Sequence, residues 1–415
     1  MAVFEDHGKT AAVFEDLESA VRSYCRSWPV VFDRAVGSWL YDERGRPYLD
    51  FFTGASALNY GHNNPVLRQA LLEYLCSDRV IHSLDMFTVA KRDFLVALDE
   101  TILRPRRLDY RVQFPGPAGT NAVEAALKLA RKVTGRTNVI CFANGFHGTS
   151  LGSLAVTTNR LMRGAAGVPL EHTARLPFDD LESLDLLLGD SRVPQPAAVI
   201  VETVQGEGGV NVASPEWLRG LAERCRQREI PLIVDDIQMG CGRTGPFFSF
   251  EVAGIEPDIV CLSKSISGYG MPLALTLIRP ELDIWEPGEH NGTFRGFNPA
   301  LVTGTAALRA YWQDDALERS SIAKGARIAA TLAALAQSVP GAQIHPRGRG
   351  MVHGLAFAHG ELARDVSAAA FERGLLVETA GPGDEVVKLL PPLTITDSEL
   401  DQGLALLADA IEAVC

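Results

Sequence analysis

From about residue 60 onward, short apolar runs alternate with stretches of helical periodicity. The runs Val112–Phe114, Asn138–Phe142, Ala197–Glu202, Pro231–Asp235, Ile259–Leu262 and Leu273–Ile278 read as strands. Between them, Asn121–Val133 and Pro215–Gln227 read as helices, the first with Ala122, Val123, Ala126 and Ala130 on one face. Continuous apolar strands divided by helices predict βαβ units around a buried, mainly parallel sheet, an α/β class. Nearer the start, Asp16–Cys25 reads as a helix and Trp39–Leu49 as a hairpin turning at Asp42–Pro47. VFED occurs twice, at Val3–Asp6 and Val13–Asp16, too short a duplication to be a structural repeat. Beyond about Pro299 come two long helical stretches, a mixed segment Gly350–Pro392 and an amphipathic helix from Asp397 towards Val414. That change of pattern predicts a smaller α+β domain. The expected division is an N-terminal segment over 1–57 packing with the small domain, a large domain over 58–299 and the small domain over 300–415.

Composition narrows the classes. A chain of 415 residues exceeds what one growing core supports, so more than one lobe is expected. Lys and Arg number 39 against 51 Asp and Glu, a net charge of −12. Such a balance lacks the electrostatic footprint for phosphate backbones or anionic membranes, so neither nucleic acid nor membrane is an expected partner. Seven scattered cysteines without a CxxC pair suit free thiols in a reducing compartment rather than a disulfide framework. No apolar run approaches the roughly 18 residues a membrane span needs. Glu5 and Asp6 stand where a secretory signal would be basic, so the expected location is the cytoplasm.

Two strand ends carry the strongest chemistry. In IPLIVDDIQMGCGRTG (Ile230–Gly245) an apolar strand runs into two carboxylates and a glycine-punctuated loop, with Asp235 where parallel sheets bind ligands. In DIVCLSKSISGYG (Asp258–Gly270) a strand ends at Ser263–Lys264, and a lysine at the mouth of a buried sheet is a candidate Schiff-base amine. Taken singly, a lysine after a strand is usually solvated and an Asp-Asp pair is often a helix cap. The joint pattern is far more specific. Gly119 and Thr120 open a helix whose N-terminus suits an anion. Asn144–Thr149 (NGFHGT) places Phe146 and His147 after a strand, Phe146 being able to lie flat on an aromatic ring. Val201–Gly209 brings Glu202 and Glu207 to a strand end, and Asn291–Pro299 offers the Thr293 hydroxyl.

A lysine amine, a strand-end carboxylate, an aromatic platform, a helix N-terminus and a distant threonine together suit pyridoxal 5′-phosphate (PLP). Its aldehyde needs an amine, its ring nitrogen an opposed carboxylate and its phosphate N–H and hydroxyl donors. DDIQMGCGRTG (Asp235–Gly245), Ser263–Lys264, GFHG and GTNAVEAALKLAR resemble the motifs of the class III (ω-amino) aminotransferases. The resemblance runs from about Phe32 to Leu407 and implies PLP fold type I, with a mainly parallel mixed sheet in the large domain. It implies that Lys264 bonds the cofactor and moves the substrate proton, and that Asp235 holds the ring nitrogen. It further implies Gln238 at the ring hydroxyl, Phe146 stacked on the ring with His147 beside it, and Gly119 and Thr120 on the phosphate. Thr293 would reach the phosphate of a neighbouring subunit in a homodimer with shared sites.

Further stretches, among them LNYGHNNP (Leu58–Pro65), VIVETVQGEGGVN (Val199–Asn211) and KLLPPLTIT (Lys388–Thr396), resemble one branch of that family, found in the ectoine pathway. That branch exchanges an amino group between L-glutamate and L-aspartate 4-semialdehyde, forming L-2,4-diaminobutyrate and 2-oxoglutarate. Small-molecule amino donor and oxo-acid acceptor are thus the expected partners. Many class III members hold the donor's carboxylate with an arginine before a Pro-Pro motif, and the counterpart of Glu207 covers it when a diamine binds. Here that position is Lys388, a point charge without the bidentate fork. Arg295 is a second candidate anchor, so Glu207, Arg295 and Lys388 form the expected substrate set. A class III enzyme with another acceptor, an aminomutase or racemase of the same fold type, and a non-enzymatic PLP- or amino-acid-binding sensor remain the alternatives.

Overall fold

The computed structural model describes residues 12–415, so the first VFED copy lies outside the described residues. Seven strands form the central sheet, in the order Arg111–Gln113, Leu275–Ile278, Ile259–Leu262, Leu232–Asp235, Ala198–Val201, Val139–Phe142 and Thr173–Leu176. The last five are mutually parallel, whereas Leu275–Ile278 runs antiparallel to both of its neighbours. Every residue of the five interior strands is buried, which is why they read as unbroken apolar runs. Thr173–Leu176 carries no such signal because it is an edge strand with only Leu176 buried.

The helix Gly119–Thr134 shares a core with this sheet. Ala122, Val123 and Ala126 are fully buried with Ile233 and Ile259, their small side chains letting helix and sheet come close. The amphipathic stretch over Asp397–Val414 forms the final helix. Its start is secured by a reciprocal cap in which Thr396 Oγ1 accepts from the Glu399 N–H and Glu399 Oε2 from the Thr396 N–H.

Two smaller sheets knit the ends of the chain together. The predicted hairpin forms as Trp39–Asp42 and Pro47–Asp50, joined on one side to Phe32–Val36. On the other side Pro47–Asp50 pairs in parallel with Leu375–Leu376, so early and late residues share one sheet. A second, antiparallel sheet orders His345–Arg349, Val352–Ala356, Val386–Leu389 and Glu378–Ala380.

The helix expected over Asp16–Cys25 does not form as one element. Helical turns occupy Ala12–Leu17 and Tyr24–Ser27, with an irregular link between them. Neither piece buries a residue, and a short unpacked helix is marginal in water. Tyr24 and Trp28 instead pack on Phe52, at ring-centre distances of 5.0 and 4.9 Å.

Arg243, within the glycine-punctuated loop after Asp235, is fully buried. It donates to Ser56 Oγ (2.9 Å), Asn59 Oδ1 (2.6 Å) and the carbonyls of Met351 (3.0 Å) and Pro391 (2.6 Å). One guanidinium therefore clasps three distant stretches of chain.

Candidate active site

Asp235 and Lys264 leave the carboxyl ends of adjacent parallel strands. Asp235 lies opposite Cys261, and Lys264 follows two residues after Leu262, so the topology brings the two predicted groups to one place. Lys264 itself has a φ of 53°, a left-handed conformation that turns the chain sharply off the strand. Its Nζ donates to the carbonyl of Ala55 at 2.8 Å. Burial lowers the pKa of this amine, against the opposing pull of Glu207.

The Ala55 carbonyl is supplied by an unusual piece of backbone. Thr53, Gly54, Ala55 and Ser56 have φ values of 49°, 56°, 54° and 73°, a single left-handed turn. For the three residues with side chains, each such conformation costs on the order of 1–2 kcal/mol. The surroundings hold it in place. Asp50 Oδ1 accepts from the N–H groups of Phe52 and Thr53, Thr53 Oγ1 donates to the Leu390 carbonyl, and Ser265 Oγ donates to the Ser56 carbonyl.

Around Asp235 the polar groups are tightly connected. His147 Nδ1 lies 2.7 Å from Asp235 Oδ2, and Asp235 Oδ1 accepts from the Ile237 N–H at 3.2 Å. Burial depresses the pKa of His147, but its bond to Asp235 and the charge there outweigh this and raise it. Phe146 is half-buried and its N–H donates to Glu202 Oε2 at 2.9 Å. Glu202 is buried, which pushes its pKa up to about 8. Next to Asp235, Asp236 is likewise pushed up by burial, to about 7, and is tied to the Ser249 N–H and hydroxyl.

The helix opened by Gly119 and Thr120 has Ala118 at its N-cap, which offers no side-chain acceptor. The Asn121 N–H donates to the Ala118 carbonyl, and the N–H groups of Gly119 and Thr120 are left for another acceptor. Thr120 Oγ1 sits 2.6 Å from both Ser150 Oγ and Ser153 Oγ, and Glu124 Oε1 accepts from Ser150 Oγ and the Ser153 N–H. A Cβ on Gly148 would approach Thr120 Oγ1 to 2.6 Å, and one on Gly119 would press on Ile237 at 3.0 Å, so both glycines keep this corner clear.

A second cluster adjoins the first. Lys388 Nζ donates to Glu207 Oε1 at 2.8 Å and lies 3.1 Å from Glu378 Oε1. Gln238 Nε2 donates to the same Glu207 oxygen at 3.0 Å and to the Ala55 carbonyl at 3.3 Å. Burial opposes ionisation of Glu207, but Lys388 and Lys264 overcome it and hold the carboxyl well below its usual range. Burial also disfavours the Lys388 ammonium, and the two carboxylates reverse that, keeping it protonated.

Thr293 is exposed, on a short turn whose Gly292 packs against Pro115. Arg295 forms an ion pair with Asp85, and no contact joins it to the Lys388 cluster among the described residues. Sequence reasoning did not anticipate Glu378, a lone acid in a strand, or the Thr53–Ser56 turn. The glycine and serine of FFTGAS are a faint signal for the latter.

The fold and this set of side chains are those of a class III aminotransferase. The class-III aminotransferase family pattern matches residues 22–411, and the chain belongs to that family. At the level of individual relatives, it is 63% identical over 413 residues to the diaminobutyrate–2-oxoglutarate transaminase of Nocardia farcinica, covering 97% of this chain and 94% of that one. It is 61% identical over 410 residues to the diaminobutyrate–2-oxoglutarate transaminase of Streptomyces anulatus, covering 96% and 97%. Among solved structures it resembles an ornithine aminotransferase of Toxoplasma gondii with partial occupancy of PLP at the active site. The TM-score is 0.87 at 28% identity, covering 98% of this chain and 94% of the other.

PLP is the cofactor of this family, and the residues present fit it. Gln238 Oε1 is buried beside Gly206 without a hydrogen-bond partner, an acceptor left free for a donor such as a ring hydroxyl. The buried amine, the His-supported carboxylate and the uncapped helix start supply the remaining contacts such a molecule requires.

Proposed function

We propose that this enzyme transfers the amino group of L-glutamate to L-aspartate 4-semialdehyde, reversibly forming 2-oxoglutarate and L-2,4-diaminobutyrate. The observation that carries this reading is the adjacency of two sites. Lys264 and Asp235 provide transamination chemistry, and Gln238 and Glu207 connect them to a buried cation able to take a substrate carboxylate. The names of the relatives at 63% and 61% identity supply the substrates.

When bound, PLP supplies an aldehyde for the amino group and a ring that withdraws electrons from the neighbouring carbon. Asp235, fixed by His147 and the Ile237 N–H, holds a proton at the ring nitrogen. Lys264 is the base and acid at the substrate's α-carbon, and the burial that lowers its pKa favours the uncharged amine a base requires. Gln238 binds the ring hydroxyl through its spare oxygen, Phe146 covers the ring, and Gly119 and Thr120 hold the phosphate through first-turn N–H groups. Lys388 takes the carboxylate of glutamate once Glu207 moves aside. With the diamine bound, Glu207 stays on Lys388.

A homodimer completes the site through Thr293. Support comes from the apolar surface around it: Ile81, Leu84, Met86, Phe87 and Phe294 are exposed together, with His82 and Phe297 bridging their two segments. A contiguous exposed patch of this kind marks an interaction face. Residues 1–57, 58–299 and 300–415 serve as N-terminal segment, large domain and small domain. A cytoplasmic location fits the cysteines, unpaired among the described residues, and no described helix is long and apolar enough to cross a membrane.

The test is direct. Protein supplied with PLP, L-glutamate and L-aspartate 4-semialdehyde should release 2-oxoglutarate and diaminobutyrate in equal amounts. Absence of 2-oxoglutarate would overturn the reading in favour of an aminomutase or a racemase.

A further inference from the structure

Lys388 is fully buried, yet it faces two carboxylates of unlike character. Glu378 is its cross-strand partner on the antiparallel pair Glu378–Ala380 and Val386–Leu389, with a side chain only 5% exposed. Glu207 comes from the turn after Val204–Gln205 and keeps 29% of its side chain open. One acid is built into a sheet; the other stands on a loop at the cleft.

Their bonding differs in the same sense. Glu207 makes the well-formed hydrogen bond to Lys388, at 2.8 Å. Glu378 Oε1 lies farther off, 3.1 Å from the ammonium as an ion pair, and it has no other partner. A buried oxygen beside a buried cation is thus a spare acceptor. An ammonium stripped of its sole partner in such a place would be strongly disfavoured, and deprotonation would relieve it.

We infer that Glu378 is a positioning residue that holds Lys388 in place and charged when Glu207 swings away, allowing one pocket to take both a carboxylate-bearing donor and a diamine. The inference rests on the transaminase reading above. With Glu378 present, an arriving carboxylate displaces Glu207 from an ammonium that is still paired. Without it, Glu207 is the only anion on Lys388 and is hard to displace. A diamine leaves Glu207 where it is and so makes little use of Glu378.

The experiment measures both half-reactions of the PLP-loaded enzyme, with glutamate and 2-oxoglutarate on one side and diaminobutyrate on the other. Wild-type protein must first turn over both; failure there refutes the functional reading and never reaches Glu378. Glu378→Gln should then raise KM for glutamate and 2-oxoglutarate at least about tenfold, with less than about a threefold change for diaminobutyrate and little change in kcat for either. Glu378→Asp, which retains the charge, should restore much of the loss, and a larger KM shift in the Gln variant than in the Asp variant is part of the expectation. Equal effects on the two substrate classes, or no effect on either, would overturn the inference. If Glu378→Gln does not fold, the Asp variant alone decides by the same split in smaller measure.

Discussion

His147 Nδ1 and Asp235 Oδ2 stand 2.7 Å apart, with both side chains almost wholly out of solvent. The imidazole thereby supports the carboxylate proposed to face the ring nitrogen, and the GFHG segment contributes by orienting that acid. Groups that orient metal ligands in the same way typically account for 10- to 100-fold in affinity or activity, and His147 stands in that relation to Asp235. His147→Ala should therefore weaken PLP binding by roughly tenfold, read by equilibrium dialysis, while the fold survives. Unchanged affinity would remove His147 from the site.

Replacing Lys264 with alanine should abolish the yellow absorbance of protein-bound cofactor and lower turnover by at least about 100- to 10,000-fold. Absorbance and rate should fall together. Near-normal transamination by this variant would refute the assignment of Lys264.

Glu202 makes stability depend on pH. Its carboxyl titrates at about 8 in the folded protein against an ordinary 4.5, because burial favours the neutral form. The folded state therefore holds a proton that the unfolded state has lost between those values, and stability falls as pH rises through the window. One fully displaced proton accounts for about 1.4 kcal/mol per pH unit. Glu202→Gln should flatten that slope in urea denaturation at pH 5 to 8. An unaltered slope would show that Glu202 does not carry it.

The left-handed turn gives opposite expectations at neighbouring positions. Ala55→Gly should stabilise the protein by about 0.5–1 kcal/mol, since glycine takes this φ without strain. Gly54→Ala should destabilise it by about 1 kcal/mol, although the nearest atoms to a new Cβ are a comfortable 3.7 Å away. Thermal unfolding of the pair would separate backbone strain from steric clash.

Arg243→Ala should reduce stability by about 3–5 kcal/mol, because it leaves a cavity and several buried acceptors without a donor. Arg243→Lys keeps the charge but not the fork, and should recover only part of the loss.

Much of this arrangement was legible in the residues, for identifiable reasons. The interior strands are buried on both faces, so burial wrote itself as apolar runs, and Asp235 and Lys264 stand where those runs stop. What escaped has equally physical causes. Thr173–Leu176 is an edge strand with little apolar demand, and the helix expected at Asp16–Cys25 had no core to meet. Glu378 looks like any strand acid until the register sets it opposite Lys388. Arg295, an expected anchor, is engaged by Asp85, a pairing that residue type alone does not disclose.

The clasp formed by Arg243 has a bearing on when the enzyme matures. Every residue proposed to hold the cofactor has been synthesised once position 293 is made, yet the loop bearing Arg243 is anchored to carbonyls at 351 and 391. A nascent chain therefore carries all its cofactor ligands for some time before it has the means to lock them, and competence arrives only with the final strands.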